Sequence, residues 1–137
     1  MGLLTFKGGI HPNDGKNLSK DDKIKTLLPK GELVFPLSQH IGAPATPVVA
    51  VGDKVLTGQM IGKASSFISA NVISSVSGTV KAIEKRLTVS GDKMDSIIIE
   101  NDNEYSTIPG FKTHRDYKEL SKEEIREIVK EAGIVGL

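Results

Sequence analysis

Side chains able to move protons, hold metals or attack substrates are few and scattered along this chain. Histidine occurs at positions 11, 40 and 114. A metal site built from them would require three distant segments to converge, and no H-x-x-x-H spacing places two on one helical face. His11, before Pro12, is expected to orient the N-terminal segment, and His40 to hydrogen-bond within the Gln39–Pro44 turn. Asp53, Asp92 and Asp95 each stand beside a turn glycine or in a polar connection, where turn stabilisation accounts for them. Gly8-Gly9 and the stretch from Gly133 to Gly136 show neither G-x-x-x-x-G-K-[ST] nor G-x-G-x-x-G spacing and are not phosphate loops. Cysteine is absent, so disulfides, thiolate zinc sites and iron–sulfur ligation are excluded within these 137 residues. No catalytic, cofactor-binding or metal-ligating residue is assigned, and the expectation is a non-catalytic module.

The elements around these residues come from composition and pattern. The length suits one domain, and with aromatics at 4% and no Trp its core must be aliphatic. Eighteen basic against 17 acidic side chains give a net charge of +1, with no basic stripe for nucleic acid. No apolar run approaches the roughly 18–20 residues of a membrane span, and Met1 to Pro12 lacks the apolar region and cleavage site of a secretory signal. A cytoplasmic setting is therefore expected. Residues 1–31 alternate turn signals with charge and are read as an extended arm packed on the body, anchored through Ile24, Leu27 and Leu28.

From 32 to 104 short β-branched runs recur between Gly, Pro and Asp: 33–35, 47–51, 54–56, 72–73, 79–83, 87–89 and 96–99. That texture predicts a mainly β sandwich or barrel, with Ser90-Gly91-Asp92 turning a hairpin between 87–89 and 97–99. Residues 105–137 form a connector and a helix. Ser121 is its expected N-cap, Glu124 completes a capping box, and Leu120 with Ile125 forms a hydrophobic staple. Ile125, Ile128, Val129 and Ala132 make one apolar stripe, and Gly133 stops the helix. The charges from Lys118 to Glu131 alternate in sign, as on a solvated face.

Val51-Gly52-Asp53-Lys54-Val55-Leu56-Thr57-Gly58-Gln59-Met60-Ile61-Gly62, followed by Ser77-Gly78-Thr79-Val80, resembles the two motifs that flank the cofactor hairpin of biotinyl and lipoyl carrier domains. The resemblance implies a barrel-sandwich hybrid, two small sheets around an aliphatic core, with turns at Gly52-Asp53 and Gly58. In carriers the acceptor lysine lies midway between the motifs. Here that midpoint falls on Phe67 and Ile68, and the only lysine in the interval, Lys63, stands several residues early. Covalent biotin or lipoate on Lys63 is the alternative reading; a cofactor-sized adduct in intact mass after ligase treatment would establish it. His40 as the phosphoryl acceptor of a phosphohistidine carrier is another, weakened by the lack of a second histidine nearby. Phe67 and Ile68 either fold back into the domain's own core or stand exposed as a docking tip.

Phe6-Lys7-Gly8-Gly9-Ile10-His11-Pro12, Pro36-Leu37-Ser38-Gln39-His40-Ile41-Gly42-Ala43-Pro44, Phe67-Ile68-Ser69-Ala70 and Ser74-Ser75-Val76-Ser77-Gly78-Thr79-Val80 together resemble the N-terminal region of RnfC, from Phe6 to Leu137. RnfC-like proteins are subunits of the Rnf complex, an ion-translocating ferredoxin:NAD⁺ oxidoreductase on bacterial membranes. The resemblance implies a downstream flavin- and NADH-binding domain and then two 4Fe-4S clusters, so that FMN, NAD(H) and the clusters belong beyond Leu137. Residues 131–137 then read as the lead-in to that domain, and the chain as an N-terminal fragment. The implied partners are the other Rnf subunits, the downstream domains, and ferredoxin through the complex. The implied location is peripheral, on the cytoplasmic face of the membrane, and the transported ion is Na⁺ or H⁺. The related N-terminal region of a sodium-pumping NADH:quinone oxidoreductase subunit is the second alternative. Cluster-type cysteine runs past Leu137 would decide between the two.

Overall fold

Two antiparallel sheets contribute side chains to one shared, mainly aliphatic core in a computed structural model, which describes residues 8–9, 12–113 and 116–135. The strands are β1 (Glu32–Pro36), β2 (Thr46–Pro47), β3 (Lys54–Val55), β4 (Met60–Lys63), β5 (Val72–Ile73), β6 (Gly78–Leu87) and β7 (Lys93–Asn101). One helix, α1 (Lys122–Glu131), follows them. The larger sheet has the order β1-β7-β6-β3 and the smaller one β2-β4-β5. Phe35, Val55, Val80, Ile97 and Ile99 from the first pack with Ile61 and Val72 from the second, and with Leu37, Ala45 and Val76 from the connections. Full burial of each Ile removes apolar surface from water at roughly 1.5–3 kcal/mol per side chain, and these branched residues also suit the pleat.

The β6–β7 hairpin is the longest pairing, running from Leu87 opposite Lys93 to Gly78 opposite Asn101. Its return strand begins at Lys93, so Thr88 and Val89 belong to the turn rather than to a strand, and Val89 is fully exposed. A bulge between Val80 and Ala82 leaves Lys81 as the extra residue. Its ammonium binds Glu32 at 2.9 Å and Glu100 at 3.3 Å, which stand opposite one another on β1 and β7. Arg86 closes the network on Glu32 at 3.0 Å and Glu84 at 2.8 Å. Two carboxylates side by side would repel without these cations. The hydrogen bond from Lys81 holds the Glu32 carboxyl below its usual range, and the bond to Glu32 raises Lys81.

The glycine of Ser77-Gly78-Thr79-Val80 has a packing cause. A Cβ at Gly78 would collide with the carbonyl oxygen of Glu100 across the ladder. The neighbouring Ser77 is buried, donates its hydroxyl to Asp102 at 2.7 Å, and accepts from Ser106 N at 2.9 Å. That hydroxyl, with the Glu104 amide after it, holds the Asp102 carboxyl below its usual range.

Two further expectations need correction. The run 47–51 is strand only at Pro47, after which the chain turns: Asp53 Oδ2 accepts from Ala50 N at 2.8 Å, Gly52 takes φ +95°, and Val48 and Val51 face solvent. Ile24, Leu27 and Leu28 are exposed and do not anchor the arm. It is tied instead near its end, where Pro29 O accepts from Asn101 Nδ2 at 2.6 Å and Tyr105 OH at 2.5 Å. A single 3₁₀ turn at Lys16–Leu18 is its regular structure among the described residues. The helix has its predicted capping box, with Glu124 N to Ser121 Oγ at 3.2 Å and Ser121 N to Glu124 Oε2 at 2.8 Å. Its apolar stripe, however, includes no buried residue.

Candidate functional site

The connection between β4 and β5, residues 64–71, carries Phe67 at its outer end. Pairing of Gly62 with Val72 closes its base. Just inside, Ala64 N donates to Asn71 Oδ1 at 2.9 Å and Ser65 N to Ser69 Oγ at 3.2 Å, so short polar side chains replace ladder bonds that the curved tip cannot make. Ser66 Oγ donates to Ile68 O at 3.0 Å. Phe67 is 102% exposed and Ile68 61%, so neither folds into the core.

The 39–44 loop buttresses this tip. Ala43 N donates to Ile68 O at 2.9 Å, Ser69 Oγ to Ala43 O at 2.8 Å, and Ser65 Oγ to Pro44 O at 2.7 Å. Ala70 N donates to His40 Nε2 at 3.0 Å. A Cβ at Gly42, whose φ is +111°, would collide with the Ile68 carbonyl oxygen, so this contact requires glycine. His40 Nε2 also lies 3.0 Å from Ala43 O within its own turn, but its contact across to Ala70 has no counterpart in the local sequence pattern.

A third segment arrives from the C-terminal end of α1. Asn71 Nδ2 donates to Lys130 O and Glu131 O, both at 3.2 Å, satisfying two terminal carbonyls of the helix. Gly133, φ +68°, passes so close to Asn71 O that a Cβ would strike it. The hairpin thereby stands between two grooves. One, of about 1080 Å³, includes Met60, Lys63, Phe67, Ile73, Ile108 and Lys130. The other, of about 260 Å³, includes Ala70, Ile125, Val129, Ile134 and Val135.

Lys63 ends β4, and Phe67 holds the protruding position at which a carrier domain would keep its lysine. No group of three His, Cys, Asp or Glu side chains among the described residues is placed to hold a metal. His11 and His114 lie outside the described residues. The arrangement presents a braced apolar point between two grooves. Sequence reasoning identified Phe67 and Ile68, and missed Gly42, Ser65, Ser69 and Asn71, which hold them. Their available signal was the pairing of small residues in 42–43 with serines in 65–69, which is legible only once the two loops meet.

The model of the RnfC barrel-sandwich hybrid domain matches residues 4–104, which include both sheets, the hairpin and its buttress. The chain belongs to this family. This RnfC-type chain is 41% identical over 135 residues to the C subunit of the proton-translocating ferredoxin:NAD(+) oxidoreductase complex of Clostridium ljungdahlii, covering 98% of the chain and 30% of that protein. It is 40% identical over 133 residues to the Na(+)-translocating counterpart of Acetobacterium woodii, covering 97% and 30%. With the C subunit of the ion-translocating oxidoreductase complex of Rhodobacter capsulatus it shares 38% identity over 136 residues, covering 98% and 26%. The chain thus spans less than a third of the length of these relatives. The barrel-sandwich expectation and the family expectation both agree with these matches. No helix among the described residues is long and apolar enough to cross a membrane.

Proposed function

We propose that this RnfC-type domain is a non-catalytic docking and positioning module of a membrane-associated, ion-translocating ferredoxin:NAD⁺ oxidoreductase. In this reading the Phe67–Ile68 tip seats on another subunit of the complex, at the cytoplasmic face of the membrane, and the attachment is peripheral. The flavin, NAD(H) and iron–sulfur chemistry then belongs to other parts of the same protein. The residues of this chain do not fit a cluster, since no cysteine is present to ligate one, and no step of electron transfer is assigned to them.

The observation that carries the reading is the full exposure of Phe67 on a hairpin tied to two separate segments, the 39–44 loop and the end of α1. A loop that merely tolerated an aromatic would not need Gly42, His40 and Asn71 to fix it. An ordered apolar point in water is characteristic of an interface, and ordering before contact lowers the entropy cost of binding.

Phe67→Asp in the full-length subunit tests this. Recovery of the subunit with membranes is expected to drop at least about tenfold, the effect of losing a central aromatic anchor, while the 137-residue chain carrying the substitution keeps its melting transition. Unchanged membrane recovery would refute docking through the tip. Loss of the melting transition would place Phe67 in the core and refute it equally.

A further inference from the structure

His40 joins the buttressing loop to the hairpin through a ring nitrogen that faces two incompatible partners. Its Nε2 lies 3.0 Å from Ala70 N and 3.0 Å from Ala43 O, with Ser69 Oγ at 3.3 Å. A backbone N–H only donates and a carbonyl oxygen only accepts, so one nitrogen cannot bond to both. With Nε2 bare, Ala70 N–H has its acceptor, and Ala43 O is supplied by the Ser69 hydroxyl at 2.8 Å. With Nε2 protonated, the new N–H turns to Ala43 O, and Ala70 N–H faces another donor.

Ala70 is only 7% exposed, so its amide loses its protein acceptor in a largely buried setting. The cavity of about 380 Å³ beside His40 is lined by Phe35, Gln39, Asn71, Val72 and Ser75, and closed by the end of α1 at Ala132 and Gly133. Its other lining side chains are uncharged, so no neighbouring charge in that cavity competes for the proton.

We propose that His40 is the positioning residue of the hairpin tip and acts as a proton-dependent latch. The neutral imidazole, with its proton on Nδ1, holds Ala70 and thereby sets the direction of Phe67 and Ile68; the imidazolium lets go of Ala70 and transfers its bond to Ala43. The consequence for docking rests on the reading of the tip given above, whereas the latch is a property of the chain by itself.

Hydrogen exchange of the Ala70 amide in the 137-residue chain, followed by NMR and corrected for intrinsic exchange, reads the latch directly. On acidification, Ala70 protection is expected to fall about five- to tenfold, the loss of one buried hydrogen bond. The step should coincide with the His40 ring resonances, while Ile97 and Ile99 keep their protection. His40→Gln, whose carboxamide oxygen accepts and does not titrate, should retain protection at Ala70 and abolish the step. His40→Ala should be unprotected at Ala70 at every pH; if it does not fold, the Gln variant decides alone. A step that persists in His40→Gln, or Ala70 protection that does not change as the His40 ring titrates, overturns the proposal. Phe67→Asp should leave the step intact, so failure of docking and failure of the latch are separately visible.

Discussion

Gly42 and Gly78 do opposite jobs with the same missing Cβ. At Gly78 the extra methyl would meet the Glu100 carbonyl inside the main sheet, so Gly78→Ala must spread β6 from β7. We expect a loss of about 2–3 kcal/mol of stability by chemical denaturation, the range for forcing an atom into a packed interior. At Gly42 the collision is with Ile68 O, outside the aliphatic core. Gly42→Ala should therefore leave the denaturation midpoint nearly unchanged and instead lower membrane recovery of the full-length subunit as Phe67→Asp does. Equal stability losses in the two variants would mean that the tip is part of the cooperative core.

At the scale of elements, α1 is the weakest-held piece. It has no buried residue and is tied to the hairpin by the two Asn71 bonds to Lys130 O and Glu131 O. Asn71→Ala should release it, raising amide exchange across 125–132 while β6 and β7 stay protected. Strand β1 depends on the charge network, and its pH response follows from the direction of each shift. Glu32 is held below its usual 4.5, chiefly by the Lys81 hydrogen bond, so its contribution is fully present above pH 4.5 and disappears as pH falls through the depressed value. Lys81 is raised above 10.5, so its share is present below pH 10.5 and is lost only as pH rises through the higher value. Acidification below 4.5 should accordingly open β1 before β6 and β7, read as earlier amide exchange at Leu33 and Phe35, and Glu32→Gln should remove that acid step.

Much of this was legible in the chain because local chemistry and burial agreed. The capping box at Ser121 and Glu124, the turn at Gly52-Asp53 and the strand runs at 33–35, 79–83 and 96–99 each carry their signal within a few residues. Where the two disagreed, pattern misled. The 47–51 run is β-branched, yet its backbone is turned by Asp53, and the helix stripe is periodic although it is only partly covered among the described residues. The bracing of the tip was illegible for a different reason. His40 to Ala70, Ser69 to Ala43 and Asn71 to Lys130 span 30, 26 and 59 positions, and no local pattern encodes such pairs.

For the molecule as a whole, two sheets with a common, mainly aliphatic core hold one fully exposed aromatic at the end of a hairpin braced by the 39–44 loop and the end of α1. A carrier domain would offer an amine at that place for a mobile cofactor; this RnfC-type domain offers a phenyl ring. Site-specific photo-crosslinking from position 67, in the full-length subunit assembled at the membrane, measures most directly what that ring touches. The account predicts an adduct between position 67 and a different subunit of the complex, lost when the complex is dissociated before irradiation. Adducts confined to the chain's own domains, or reaction with water alone in the intact complex, would contradict it.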